Sequence, residues 1–196
     1  PSTFSFDLAA LKPEAGHYTL TLRVRGGAAK DGVLEVAGHS VVVKVTGAAK
    51  LVDFVLAVGD SADMAEARQY HAVHPDAVKQ PVALGARQHL FVSFAVQNAV
   101  GKPVRPHQAV VRLHNAATGA QAYYSVPASG TLHVPVAELA PRVFGESGTY
   151  ALHVVVGDAL FERNVNWEAA KLQITFSDAQ RVARPEPLFG KKRDIR

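Results

Sequence analysis

Residues 107–126, HQAVVRLHNAATGAQAYYSV, read as two strands around a tight turn. Within AVVRLHN (109–115), Val111 and Leu113 share one face, while Val110, Arg112 and His114 share the other. That period-two alternation is the mark of a half-buried strand. AATG (116–119) is a turn signal, with Gly119 free to take positive φ, and QAYYSV (121–126) returns. Of the adjacent pair Tyr123 and Tyr124, one must point inward. The polar residues of this hairpin are expected on the outer face of a sheet, available to another protein.

The same alternation recurs along the chain. Strands are predicted in TFSFDLA (3–9), HYTLTLRV (17–24), GVLEVAG (32–38), SVVVKVT (40–46) and KLVDFVLAV (50–58). A second series follows in HLFVSFAV (89–96), AVVRLHN, QAYYSV, TLHVPV (131–136), TYALHVVVGD (149–158) and KLQITF (171–176). DSADMAEARQYHAV (60–73) reads as a loop leading into a strand, and PVAELAPRVFG (135–145) as a short helical turn. Many short strands with turn signals every 8 to 12 residues imply an all-β fold of immunoglobulin-like β-sandwich type.

One internal echo bears on domain organisation. GHYTLTL (16–22) and GTYALHV (148–154) share Gly-x-Tyr-x-Leu-x-apolar. In such sandwiches a Tyr near the start of the penultimate strand caps a corner through its hydroxyl. Two such corners imply tandem modules, and the first is too short ahead of Tyr18 to be whole. The expected division is residues 1–48 as the end of a first module truncated at its N-terminus, 49–176 as a second, and 177–196 as a basic connector.

Composition narrows the function classes. With 48% hydrophobic and 19% charged residues the chain is of ordinary globular type. No cysteine is present, which removes disulfides and thiolate metal sites. Of the formal net charge of +4, the last twenty residues carry +3 through Arg181, Arg184, Lys191, Lys192, Arg193 and Arg196, against Asp178, Glu186 and Asp194. A body so near neutral has no nucleic-acid footprint.

No constellation for catalysis stands out. His71 and His74 in HAVH suit one face of a helix but opposite faces of a strand, and Pro75 argues against the helix. The other histidines lie singly in strands and turns. There is no G-x-S-x-G, the serines sit in turns such as PASG and GESG, and GGAAKDG lacks the ending of a phosphate loop. No catalytic residue, cofactor or metal site is therefore expected. Phe91, Phe94, Phe161 and Phe176 read as core. Trp167, the only tryptophan, is either a stacking platform or a core or interface anchor just before the last strand, the anchor being favoured because large aromatics dominate packing.

RPHQAVVRLHNAATGAQ (105–121), SGTYALHVVVGDALFERNVNW (147–167) and LQITF (172–176) resemble the ribophorin II family, in its membrane-proximal luminal region. The matching positions are Pro106, His107, Gln108, Val111, Arg112, Leu113, Asn115, Thr118, Gly119, Ser147, Gly148, Thr149, Tyr150, Gly157, Asp158 and Trp167. PEPLFGKKRDIR (185–196) looks like the family's connector toward its transmembrane helices. The resemblance covers residues 104–196; ahead of it only the strand layout fits. It implies a noncatalytic subunit of the oligosaccharyltransferase complex, placed in the endoplasmic reticulum lumen, anchored by membrane helices and partnered by other subunits. The chain has no N-x-[ST] sequon of its own.

The expected contact surface comprises Arg112, His114 and Tyr123 of the 108–126 hairpin, with Phe161 and Trp167 of the 158–168 segment as anchors. The alternative is a glycan- or peptide-binding sandwich module, suggested by Tyr123 and Tyr124.

Overall fold

The structure, a computed structural model, describes residues 5, 7, 9–25 and 35–183. Its strands are β1 (Gly16–Arg25), β2 (Glu35–Val45), β3 (Ala49–Gly59), β4 (Arg68–Ala72), β5 (Val82–Gly85), β6 (His89–Asn98), β7 (Gln108–His114), β8 (Gln121–Ser125), β9 (Thr131–Pro135), β10 (Gly148–Gly157) and β11 (Val165–Thr175). A single helical turn, α1 (Val136–Leu139), continues into a 3-10 turn over Ala140–Val143.

Two sheets make the sandwich. One has the order β5-β11-β10-β7-β8, the other β4-β3-β6-β9, while β1 and β2 form a separate antiparallel pair. Neighbours are antiparallel except β5, which runs parallel to β11. Alternation along each strand supplies the core. Tyr150, Leu152, Val154 and Val156 of β10, with Val111 and Leu113 of β7, are fully buried. They join one apolar cluster with Leu56 of β3, Leu90, Val92 and Phe94 of β6, and Leu132 and Val134 of β9.

Two bulges adjust this parity. In β3 the register shifts between Val52 and Val55, where Asp53 takes φ +54°, so that Leu51 and Phe54 are both buried. In β11 the partner sequence passes from Ala170 opposite Leu152 to Glu168 opposite His153, leaving Ala169 as the extra residue. Ala169 and Ala170 are both buried. Trp167 therefore faces inward together with Leu172 and Ile174, which strict alternation would place on the opposite face.

Several expectations need correction. GVLEVAG and SVVVKVT do not form two strands: from Glu35 onward they are the single strand β2, and residues 32–34 lie outside the described residues. The last strand starts at Val165 rather than Lys171, so Trp167 lies within it. The strand β5 had no sequence signal, being four residues long. Phe91 is buried, but on the outer face of its sheet, in a small separate cluster with Ala57 and Ala67 against Met64. Most of TFSFDLA, all of GGAAKDG and the tail from Arg184 lie outside the described residues, and Ala9–Leu11 form a 3-10 turn.

The two echoed tyrosines make the same bond. Tyr150 Oη donates to the carbonyl of Glu146 at 2.6 Å, and Tyr18 Oη donates to the carbonyl of Glu14 at 2.7 Å, each four residues back. Their surroundings differ. Tyr150 is fully buried, whereas Tyr18 is 37% exposed. Tyr150→Phe is expected to lower sandwich stability by about 1–3 kcal/mol, because a hydroxyl bond from a fully buried ring to a half-buried carbonyl is lost. Tyr18→Phe should stay within about 0.5 kcal/mol, since water replaces the hydroxyl. Paired urea titrations check this; equal losses would mean that burial does not set the strength of the corner.

Candidate interaction surface

The 107–126 hairpin is β7, turn and β8. Asn115, the one buried polar side chain of the described residues, builds the turn: its Oδ1 accepts from the backbone N–H groups of Ala117 and Thr118. Gly119 takes φ +72° beside it. This turn fixes the register in which Arg112 faces Tyr123 and His114 faces Gln121.

From β7 the register extends across the sheet. Arg112 lies opposite His153 of β10, which lies opposite Glu168 of β11. The outer face thus carries a row Glu168–His153–Arg112–Tyr123 over four strands, roughly 14 Å long at the usual strand spacing. A second row runs Lys171–Ala151–His114–Gln121. The Arg112 guanidinium carbon lies 5.9 Å from the Tyr123 ring centroid, and Tyr123, half exposed, donates through Oη to Gln121 Oε1 at 3.1 Å. Arg112 Nε is buried and, among the described residues, has no hydrogen-bond partner. At one end of this face lies a shallow depression of about 500 Å³ in which Thr118, Ser147, Thr149, Glu168 and Lys171 take part.

Three of the five residues singled out from sequence share this face: Arg112, His114 and Tyr123. Phe161 lies elsewhere, beyond the far end of β10. It is partly buried against the core, and the chain around it bridges to Gly47: Gly47 N–H donates to the Leu160 carbonyl and Glu162 N–H to the Gly47 carbonyl, both at 2.9 Å. Phe161 lines a groove there with Lys12, Glu14, Lys102, Arg105 and Asp158. Trp167 is a correction to the surface set. It is 5% exposed, packs edge-on against Phe54 at 4.8 Å and His74 at 5.4 Å, and donates through Nε1 to the Pro75 carbonyl at 2.9 Å. The residues missed were His153, Glu168 and Lys171, which join the face only through strand pairing.

Tyr124 is the inward member of its pair, opposite buried Val111. Burial pushes its hydroxyl up to about 12, partly offset by the Arg142 guanidinium, 4.8 Å from the ring centroid, with Glu138 adding to the rise. It is consequently a neutral wall of the core and not part of the outer face. Among the described residues no group of three or more His, Cys, Asp or Glu is placed to hold a metal ion. Nor, among them, is any helix long and apolar enough to cross a membrane.

The comparisons with known proteins bear on the same sandwich. The model of the ribophorin II third domain matches residues 52–174, from β3 to the end of β11. A curated relative from Oryza sativa subsp. japonica, the dolichyl-diphosphooligosaccharide–protein glycosyltransferase subunit 2, is 25% identical over 205 aligned positions. The alignment covers 96% of this chain and 29% of the relative, so the chain spans less than a third of that protein's length. With the family match running through both sheets, the chain belongs to the ribophorin II family, and its sandwich is the third domain.

Proposed function

We propose that this chain is a noncatalytic luminal part of an oligosaccharyltransferase complex, supporting N-linked glycosylation by contacts with other subunits. In the full-length protein it would stand on the lumenal side of the endoplasmic reticulum membrane, with 177–196 leading to membrane helices beyond Arg196. The support is the family and the name of the rice relative, a subunit of such an enzyme. The observation that carries the contact role is the Glu168–His153–Arg112–Tyr123 row, laid flat across four strands. Arg and Tyr are the residue types that most often anchor protein interfaces.

The tandem division belongs to the same reading: 1–48 closes a first sandwich, and 49–176 is the second. Its support is the pair of matched tyrosine corners, each opening a strand that pairs with the next one in an antiparallel hairpin. By register Tyr18, Leu20, Val41 and Val43 share one face of β1–β2, and Tyr18, Leu20 and Val41 are 37%, 39% and 49% exposed. The equivalent face of β10 is fully buried.

Arg112→Glu combined with Tyr123→Ala in the full-length protein should sharply reduce recovery of the catalytic subunit from mildly solubilised microsomes. Half-exposed Tyr123 should cost no more than about 0.5 kcal/mol of domain stability, and urea titration of the variant checks that half-buried Arg112 can be replaced with the sandwich still folded. Wild-type recovery from the double variant would remove this face from the assembly. The half-exposed Tyr123 also favours a second reading, a glycan- or peptide-binding module. Saturable binding of free oligosaccharide, abolished by Tyr123→Ala, would promote it.

A further inference from the structure

On the outer face of the four-stranded sheet, away from the surface described above, β6 and β9 bring two imidazoles together. His89 pairs with Pro135 and Phe91 with His133, which makes His89 and His133 diagonal neighbours on one face. His89 Nδ1 lies 2.8 Å from His133 Nε2. The ring centroids are 5.0 Å apart and the planes differ by 23°. That separation is the nitrogen contact plus the two ring radii, so the rings lie edge to edge, with their in-plane nitrogens aimed at each other.

The pair rests on a firm base. The Phe91 ring stacks on His133 at 4.6 Å and 10°, and Phe91 is itself buried among Ala57, Ala67 and Met64. His89 is half-buried and His133 exposed, so the point between the two nitrogens opens toward solvent. His133 stands on β9, an edge strand of its sheet, which leaves its side chain room to turn.

Between two neutral imidazoles, one proton is shared by two nitrogens, one donating and one accepting. The same two nitrogens suit a borderline transition-metal ion when that proton passes to the other nitrogen of its own ring, so that both facing nitrogens offer lone pairs. We propose that His89 Nδ1 and His133 Nε2 form a binding site for a divalent transition-metal ion of the Zn²⁺ or Ni²⁺ type. At metal–nitrogen distances of about 2.0–2.1 Å, a tetrahedral angle sets the two nitrogens roughly 3.3 Å apart. A rotation of the exposed His133 ring supplies the extra half ångström or so. No third protein ligand joins them among the described residues, so water fills the remaining positions and the ion exchanges freely.

The test is titration of the tag-free chain with ZnCl₂, and separately with NiCl₂, followed by thermal unfolding and by imidazole NMR signals with Zn²⁺. The expected result is a midpoint that rises with metal concentration and saturates at one ion per chain. The signals of His89 and His133 should shift while those of the remaining histidines stay. His133→Ala should abolish the rise, and His71→Ala, which removes a histidine of the HAVH segment, should leave it intact. Absence of a saturable rise, or a rise that survives in His133→Ala, would overturn the site.

Discussion

Trp167→Ala is expected to remove about 3–5 kcal/mol of folding free energy, the range for truncating a buried large aromatic. For a chain of this size that is a fall in thermal midpoint of roughly 6–20 °C. The loss has three parts. The indole is 5% exposed, so its removal leaves a cavity between the sheets. Its edge-on contacts with Phe54 at 4.8 Å and His74 at 5.4 Å disappear. The Pro75 carbonyl loses the Nε1–H that ties the loop after β4 to β11. Trp167→Phe separates these: it keeps most of the packing and forfeits the hydrogen bond, an expected loss of about 1–2 kcal/mol. Calorimetry on the three proteins checks the ladder. A Trp167→Ala protein that melts with wild type would show that the indole contributes at a surface and not in the core.

The second large effect is expected at Gly145, and a matched control is available at Gly119. Both glycines hold left-handed φ, +62° and +72°. Alanine at either meets the ordinary cost of that conformation, about 1 kcal/mol. The surroundings then diverge. A Cβ on Gly119 would have no neighbour within 4 Å, whereas a Cβ on Gly145 would lie 2.7 Å from the Gln180 carbonyl carbon and 2.8 Å from Arg181 Cα.

These contacts are backbone and cannot swing aside. The segment after β11 is held close by Phe176 N–H donating to Ser147 Oγ, by Gln180 Nε2 donating to the Ala86 carbonyl, and by Val182 N–H donating to the Phe144 carbonyl. Gly145→Ala must push that segment away, and the loss should be on the order of 3 kcal/mol. Limited trypsin digestion reads the displacement directly: cleavage after Arg181 should accelerate in Gly145→Ala and not in Gly119→Ala. Equal stability losses and equal cleavage would show that the close approach is not a constraint on the fold.

Much of the strand layout is legible without coordinates, because side-chain period two is a local property of an extended chain. Val111 and Leu113 against Arg112 and His114 declare the two faces of β7, and Asn115 with Gly119 declares the turn. The repeated Gly-x-Tyr-x-Leu marks both tyrosine corners, since the bond is made within four residues. What escaped is β5, whose four residues gain order only by lying parallel to a distant β11. The join of residues 35–45 into one strand also escaped, being decided by pairing with β1 on both sides of a register shift between Leu22 and Val24.

The candidate surface shows the same division. An all-β chain, the outward direction of Arg112 and His114, and the inward direction of one of Tyr123 and Tyr124 are all legible in the sequence, because each is a matter of local alternation. Which distant residues stand beside these side chains follows from strand register alone. His153, Glu168 and Lys171 reach that face through the registers of β10 and β11, and His89 meets His133 through that of β6 and β9. Trp167 is the sharpest case. Counted back from Leu172 and Ile174 it belongs outside, and the single extra residue at Ala169 turns it into the core. Alternation is set by bonds along the chain, but register and bulges are set by which pairing buries the most apolar surface, a property of the two sheets together.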